Sequence, residues 1–240
     1  MTYCTVKQSV FFQQSAINDA ILLNKNMQTQ STKTSQTFLV IGTIMGWIAV
    51  VSQFYLIIVN RVASVPETIL MFFSFFPILT NTLVALCFTF LLLRPASNWG
   101  RFFSNPKTLT AITVYISMVG IAYNIILRSL WDPKGLQLIV DELLHSVIPL
   151  FFILYWLIFV PKTELYWKNV FPWLVYPFVY LVFILFRGAF SGFYPYPFIN
   201  VNNLGYNKVF LNSGRLLIVF LTLSLLFVVI GKIISRNPRL

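Results

Sequence analysis

The sequence contains one histidine, His145, and it lies inside an apolar stretch that is long enough to cross a membrane. Removing an ionisable side chain from water is costly, so an intramembrane histidine indicates a functional site. A neutral imidazole can take the proton of a hydroxyl, and the activated hydroxyl can then attack an ester carbonyl. We predict that Thr80, in the second apolar stretch, supplies this hydroxyl.

Thr80 and His145 are expected at similar depths in the membrane. Thr80 lies twelve residues after Thr68, where the second span is predicted to begin, and His145 lies nine residues after Leu136, where the fourth begins. At about 1.5 Å per residue, both side chains would lie roughly 13–18 Å below the same surface. They can meet if the second and fourth spans are neighbours.

A structural role is the alternative for Thr80 and for Asn81, which follows it. Pro77 lies in the same stretch and has no N–H, so the carbonyl of Phe73 would lose its helical partner. Hydroxyl groups or water usually satisfy such a carbonyl in a membrane. The sequence leaves both interpretations open.

Asp141 precedes His145 by four residues, so the two side chains would share one helical face. A carboxylate there can orient the imidazole and stabilise its protonated form, which makes Asp141 the third predicted catalytic residue. Asp141 and Glu142 also fall in the first turns of the predicted fourth span. Acidic residues in that position complement the helix dipole without any catalysis.

The composition predicts an all-α integral membrane protein. Of the 240 residues, 58% are hydrophobic and only 10% are charged, and the mean hydropathy is +0.80. A soluble domain carries about 25% charged residues. Six stretches are long enough to span a bilayer and predict a six-helix bundle, at approximately 37–60, 68–93, 108–127, 136–160, 172–190 and 215–235. We expect residues 1–36 to form a polar, flexible tail and residues 236–240 a short basic tail.

Charge distribution predicts the orientation. Eleven of the 17 lysines and arginines fall on the side of the two termini and six fall on the other side. Basic residues favour the cytoplasmic side, so both termini are predicted to be cytoplasmic. The net charge of +11 is explained by short loops and by anionic lipid headgroups, and we expect no nucleic acid partner.

No metal or cofactor is expected. The single histidine argues against a histidine-based metal centre, and Cys4 and Cys87 lie too far apart in the predicted topology to form a disulfide. The sequence contains no Gly-x-Ser-x-Gly elbow, no phosphate-binding glycine loop, no CxxC pair and no His-Glu-x-x-His motif. Soluble-type serine hydrolysis, nucleotide use and thermolysin-like zinc chemistry therefore lack support.

Several short motifs resemble the androgen-induced and androgen-dependent family of multi-span membrane hydrolases and its bacterial six-span relatives. They occur in the same order along the chain, at residues 76–81, 143–149, 154–162, 173–177 and 192–198. The resemblance covers roughly residues 37–235. It implies a six-span fold and the plasma membrane of a bacterium.

The resemblance also implies hydrolysis of fatty acid esters of hydroxy fatty acids by an intramembrane threonine and a histidine. The family's histidine corresponds to His145. The position that best matches its threonine is Pro77, which has no hydroxyl, and Thr80 lies about 4.5 Å further along the helix. The resemblance therefore implies either that Thr80 has taken this role or that the chain has lost the nucleophile.

Three functions follow from these observations. The first is an intramembrane hydrolase of fatty acyl esters that uses Thr80, His145 and Asp141, with membrane lipids as its surroundings and a fatty acyl ester as its substrate. The second is a non-enzymatic lipid-binding or scaffolding protein, which the proline at position 77 favours. The third is a small transporter. The segment 194–197, rich in tyrosine and proline, is either part of an interfacial aromatic belt or a lid over a site.

Overall fold

The computed structural model describes residues 33–129 and 132–236. Across these two ranges the chain is helical, without a β-strand, and six helical segments are long and apolar enough to cross a membrane. The predicted class, an all-α protein with six transmembrane helices, is therefore confirmed. Most of the predicted N-terminal tail, Cys4 and residues 237–240 lie outside the described residues.

The described residues form ten α-helices, two of which continue into a turn of π-helix. In chain order they are α1 Lys33–Val59, α2 Val65–Phe72, α3 Phe76–Leu93, α4 Asn98–Ser104, α5 Pro106–Ala122 with π1 Tyr123–Leu127, α6 Leu136–Glu142 with π2 Leu143–Val147, α7 Ile148–Phe159, α8 Val170–Trp173, α9 Val175–Ser191 and α10 Val201–Arg236. All but α2 and α4 belong to the six segments. Successive spans alternate in direction. We call the end that bears connections 60–64, 128–135 and 192–200 the distal end, because the start of α1 at Lys33 and the end of α10 at Arg236 lie at the other end.

The third span, α5, is the centre of the bundle. Its residues from Leu109 to Val119 are all buried, and it packs against α3, α7 and α10. Buried donors join it to its neighbours: Trp156 Nε1 donates to Thr110 Oγ1 at 2.9 Å, and the Tyr115 hydroxyl donates to the Trp173 carbonyl at 2.7 Å. An apolar span that is buried on all sides has no lipid-facing stripe, which is consistent with its central position.

The first span packs closely on α3 through two glycines spaced four residues apart. A β-carbon at Gly46 would lie 2.9 Å from the β-carbon of Ala85, and one at Gly42 would overlap the ring of Phe88. Small residues with this spacing allow the backbones of two membrane helices to approach each other. Trp47 Nε1 then donates to Thr89 Oγ1 at 3.0 Å across the same interface.

The predicted second span, 68–93, is divided into two helices. The chain leaves helical geometry after Phe72 and begins a new helix at Phe76, so Pro77 occupies the first turn of α3. This corrects the expectation that Pro77 interrupts the interior of a continuous helix. In a first turn the missing N–H of proline has no helical partner to lose. Two tyrosine hydroxyls form hydrogen bonds with main-chain groups at the break. Tyr180 donates to the Ser74 carbonyl at 2.8 Å, and the Phe76 N–H donates to the Tyr196 hydroxyl at 3.1 Å.

An ion pair joins α2 to the distal end of α9. Arg187 NH2 lies 2.5 Å from Glu67 Oε1, and the guanidinium group stacks over the ring of Phe193, 4.7 Å from its centroid. The Arg187 side chain is only 9% exposed. The pair fixes the short helix α2 and the start of the 192–200 connection to the same position on α9.

Candidate functional site

His145 lies where two π-helical turns face each other. It belongs to π2, and its ring stacks on Tyr123 of π1 with the centroids 4.1 Å apart and the planes 12° apart. A single turn of π-helix inside an α-helix is rare and is found frequently at functional sites. Two such turns in contact mark this position in the bundle.

The π2 turn leaves two main-chain carbonyls without a donor from their own helix. Pro149 has no N–H, and the Ile148 N–H donates to the Leu143 carbonyl, five residues back. The carbonyl of Leu144 accepts instead from Asn81 Nδ2 at 3.0 Å, and the carbonyl of His145 accepts from Asn124 at 3.3 Å. Side chains from the second and third spans therefore complete the backbone that carries His145.

A glycine allows the third span to approach this turn. A β-carbon at Gly120 would lie 3.2 Å from the β-carbon of Pro149 and 3.3 Å from the His145 carbonyl oxygen. Arg128 then links π1 to the start of π2, because it donates to Asn124 Oδ1 at 2.8 Å and forms an ion pair with Glu142. Contacts between the two facing π-helical turns therefore fix the position of His145.

The imidazole of His145 has a defined donor and a defined acceptor. Its Nδ1 lies 2.9 Å from the main-chain carbonyl of Asp141. A carbonyl only accepts, so Nδ1 carries the proton and, in the neutral ring, Nε2 presents a lone pair. Among the described residues Nε2 has no hydrogen-bond partner. The ring can therefore act as a base or accept a hydrogen bond from a bound molecule.

Asp141 is brought beside His145, and its carboxylate also joins a polar network. Asp141 Oδ1 accepts from Gln137 Nε2 at 2.9 Å, and the same nitrogen donates to Gln53 Oε1 at 2.9 Å. The Asp141 side chain is 5% exposed. The hydrogen bond that orients the imidazole comes from the main chain of Asp141, whereas the expected orienting group was its carboxylate.

Thr80 points towards the fifth span. It is fully buried, and its hydroxyl is hydrogen-bonded to the hydroxyl of Tyr176 on α9 at 3.3 Å. Successive residues of a helix are rotated by about 100°. Asn81 and Pro77, four residues apart, consequently share the face towards π2, while Thr80 lies on a neighbouring face. The catalytic roles of Thr80, His145 and Asp141 stay a prediction.

Two cavities meet at His145. The α1 cavity, about 620 Å³, lies between α1, α2, α3 and α6, and the α10 cavity, about 540 Å³, lies between α3, α5, α9 and α10. Both volumes fall within the range of about 300–1,000 Å³ that is common for ligand pockets. Residues that line both are Pro77, Tyr123, Leu127, His145 and Tyr196. Thr80 is not among the residues that line either cavity.

Residues 193–199, which we call the aromatic cover, close the distal side of both cavities. Phe193, Pro195, Tyr196 and Pro197 line the α1 cavity, and Tyr196 also lines the α10 cavity with Phe198. The rings of Tyr196 and Phe198 stack with centroids 5.2 Å apart. Burial raises the pKa of Tyr196, so its hydroxyl stays neutral while it accepts from α3. The segment therefore lines both cavities, and the choice between an interfacial aromatic belt and a lid stays a prediction.

Sequence analysis did not identify Tyr123, Asn124, Gln53 and Gln137 as site residues. The two glutamines carried a usable signal, because polar amides are rare within apolar spans and Gln137 lies four residues before Asp141. Asn124 carried the same signal, because it is an amide within the predicted span 108–127, whereas Tyr123 gave none, because its contribution depends on the π-helical turn. In the described ranges, no three His, Cys, Asp or Glu side chains lie close enough together to hold a metal ion.

Comparisons with family models, with curated proteins and with solved structures gave no match. The functional interpretation therefore depends on the geometry of the site. That geometry consists of a half-buried imidazole with an acceptor nitrogen that has no partner among the described residues, on the wall shared by two ligand-sized cavities within the span region.

Proposed function

We propose that this multi-pass membrane protein binds a lipid within the bilayer, with apolar chain in the two cavities and a polar group beside His145. The observation that carries the proposal is the position of His145 on the wall that both cavities share. A chain that extended through this junction would be surrounded by Leu127, Tyr123 and Tyr196. The polar group of the lipid would meet the only imidazole in the protein.

The directions of the side chains favour lipid binding over hydrolysis through an acyl-enzyme intermediate. Pro77 lines the same two cavities as His145, and proline has no nucleophilic atom. The nearest predicted nucleophile, Thr80, is hydrogen-bonded to Tyr176. A nucleophile and its base must lie about 2.6–3.2 Å apart for direct activation. The non-enzymatic, lipid-binding alternative is therefore our leading proposal.

Photolabelling of the purified protein in nanodiscs tests the proposal. The probe is a long-chain alcohol with a diazirine in its chain, and labelled peptides are identified by mass spectrometry. We expect labelling of π1, π2 and the aromatic cover, with competition by unlabelled alcohol. Leu217→Trp should reduce labelling because Leu217 lines the α10 cavity, whereas Ile218→Trp should not, because Ile218 faces outwards and is 63% exposed. Uniform labelling of outward-facing residues, without competition, would reject the proposal.

A hydrolase of fatty acyl esters is the second candidate, and one observation favours it. His145 Nδ1 is held by the Asp141 carbonyl, which leaves Nε2 with its lone pair available at the cavity junction. A base in that position can activate water or a hydroxyl. For this second candidate we also propose that the protein belongs to the androgen-induced and androgen-dependent hydrolase family. Thr80 would then be the nucleophile, and Asp141 would orient the imidazole of His145.

Ester turnover by the purified protein tests the second candidate. Hydrolysis of a long-chain fatty acyl ester should be abolished in His145→Ala and reduced in Thr80→Val, and a fluorophosphonate-type probe should label Thr80. If His145→Ala hydrolyses the ester as fast as the unchanged protein, the hydrolase mechanism fails. Loss of turnover in His145→Ala with full activity in Thr80→Val would assign the attack to water.

We also propose that both termini face the cytoplasm and that the membrane is the plasma membrane of a bacterium. The supporting observation is the excess of lysine and arginine on the side of the termini. In this orientation the aromatic cover at the distal end faces away from the cytoplasm. Single cysteines introduced at Asp132 and at Glu164, labelled with an impermeant maleimide on intact cells, should react at Asp132 only.

A further inference from the structure

We infer that the α1 cavity selects an amphiphile whose polar group is an ammonium. This inference depends on the proposed lipid-binding function and adds the chemical class of the ligand. It follows from the hydrogen-bonding character of one wall of the cavity, from the charge on that wall and from the aromatic side chains opposite.

The polar wall runs along one face of the fourth span. Gln137, Asp141 and His145 are spaced at intervals of four residues, and all three line the cavity. Side chains with this spacing lie one above another on a helix. The polar atoms therefore form a continuous strip from the distal end down to the junction of the two cavities.

This strip presents mainly hydrogen-bond acceptors. Gln137 Nε2 donates both to Asp141 Oδ1 and to Gln53 Oε1, so its two hydrogens are used and its Oε1 remains an acceptor. His145 Nδ1 donates to a main-chain carbonyl, so Nε2 is an acceptor as well. A ligand that complements two acceptors and a carboxylate must bring donors.

The charge of the cavity favours a cationic donor over a neutral one. Asp141 is the one acidic residue among those that line the α1 cavity, and it is 5% exposed. Among the described residues of the lining, Arg61 is the one arginine or lysine; it is exposed and donates to the Ile58 carbonyl. A hydroxyl and an ammonium can both donate a charge-assisted hydrogen bond to the Asp141 carboxylate, but only the ammonium adds the Coulomb attraction of an opposite charge, so it gains more there.

Aromatic side chains form much of the remaining lining. Phe72, Phe75, Tyr123, Phe193 and Tyr196 all line the α1 cavity. The faces of aromatic rings attract cations, and ammonium ligands are commonly bound between aromatic residues and a carboxylate. The same rings offer apolar contact to the chain that carries the ammonium.

Three amphiphiles with the same twelve-carbon chain test the inference: dodecylamine, dodecanol and dodecanoate. Each competes with the photoreactive alcohol for the purified protein in nanodiscs at pH 7. We expect dodecylamine to compete at least about tenfold better than dodecanol, since the Coulomb attraction of an opposite charge contributes more than one factor of ten, and dodecanoate to compete least. A preference for dodecanoate, or equal competition by all three, would overturn the inference.

A matched pair of variants assigns the preference to Asp141. Asp141→Asn should bring dodecylamine to within about threefold of dodecanol, whereas Asp132→Asn removes the same charge from an exposed position and should leave the tenfold preference. An undiminished preference in Asp141→Asn would overturn the inference. If Asp141→Asn does not fold, the order in which the three amphiphiles compete for the unchanged protein still tests the preference for an ammonium. If no amphiphile competes, the proposed lipid binding itself fails, whereas equal competition by all three rejects only the ammonium class.

Discussion

The side-chain nitrogen of Asn81 lies 3.0 Å from the main-chain oxygen of Leu144, which joins the second span to the turn that carries His145. The same nitrogen also donates to the Pro77 carbonyl at 2.9 Å. One amide thus satisfies an acceptor in its own helix and another in π2. The orientation of the histidine depends on this link across the bundle.

Asn81→Leu should destabilise the protein and weaken lipid binding. Leucine has a similar volume but no donor, so the Leu144 carbonyl would be buried without its partner at a cost of about 1–3 kcal/mol. Thermal unfolding in detergent measures the loss. Thr82→Val is the control, because the Thr82 hydroxyl donates only to the Ile78 carbonyl of its own helix. Equal melting temperatures for the two variants would contradict the role assigned to Asn81.

Gly46→Val should separate the first span from α3. The added β-carbon would lie within 2.9 Å of Ala85, and overpacking of a tight interface costs about 1–3 kcal/mol. Ile44→Phe adds volume on a face that is 54% exposed and should have little effect. The expected result is a lower melting temperature for Gly46→Val alone. If both variants have the same melting temperature as the unchanged protein, the close contact between the first span and α3 does not stabilise the protein.

Tyr196→Phe should loosen the cover over both cavities. The Phe76 N–H at the start of α3 would lose its acceptor, since the Tyr196 hydroxyl is the group it donates to. Hydrogen–deuterium exchange should become faster in the peptide that contains residues 74–80. Tyr194→Phe, a change in the same segment whose ring packs on Gly188, should leave exchange at 74–80 unchanged. Slow exchange in both variants would show that another contact holds the cover.

The stability contributed by Lys162 should rise with pH. Burial lowers the pKa of Lys162 to about 8, below the value of about 10.4 for an unfolded lysine. Between these two values the unfolded chain binds more protons than the folded protein, so the free energy of unfolding increases as pH rises. The difference in melting temperature between the unchanged protein and Lys162→Met should therefore grow from pH 8 to pH 10. A difference that shrinks over this range would mean that the charged amine, which donates to three carbonyls, is the favoured form.

The number of spans could be predicted because apolar length alone determines it. The interruption at Ser74 could be predicted only in part: Pro77 marks a disturbed helix, but the new helix start also depends on Tyr180 and Tyr196 from distant parts of the chain. The sixth helix was also expected too late. A first helical turn begins at Val201, the backbone kinks at Gly205 with φ 72°, and the helix that resumes after the kink includes polar residues that precede the apolar region at 215.

His145 could be identified from the sequence, but its partners could not. An isolated histidine in an apolar stretch can be recognised without a structure. Its contact with Tyr123 requires two π-helical turns, which no residue pattern predicts. The prediction for Thr80 used depth, which is a property of one helix. Its direction depends on the rotation of α3 relative to α9, which only the packing of Tyr176 against Tyr115 determines.

The interruption between α2 and α3 leaves the position of α2 to side-chain contacts. No helical hydrogen-bond ladder runs continuously from Phe72 to Phe76, so the backbone of α3 does not hold α2 in place. Glu67 ties α2 to Arg187, and Arg187 also holds the ring of Phe193. One guanidinium group therefore anchors both α2 and one edge of the cover to α9, beside the α1 cavity that Phe193 lines.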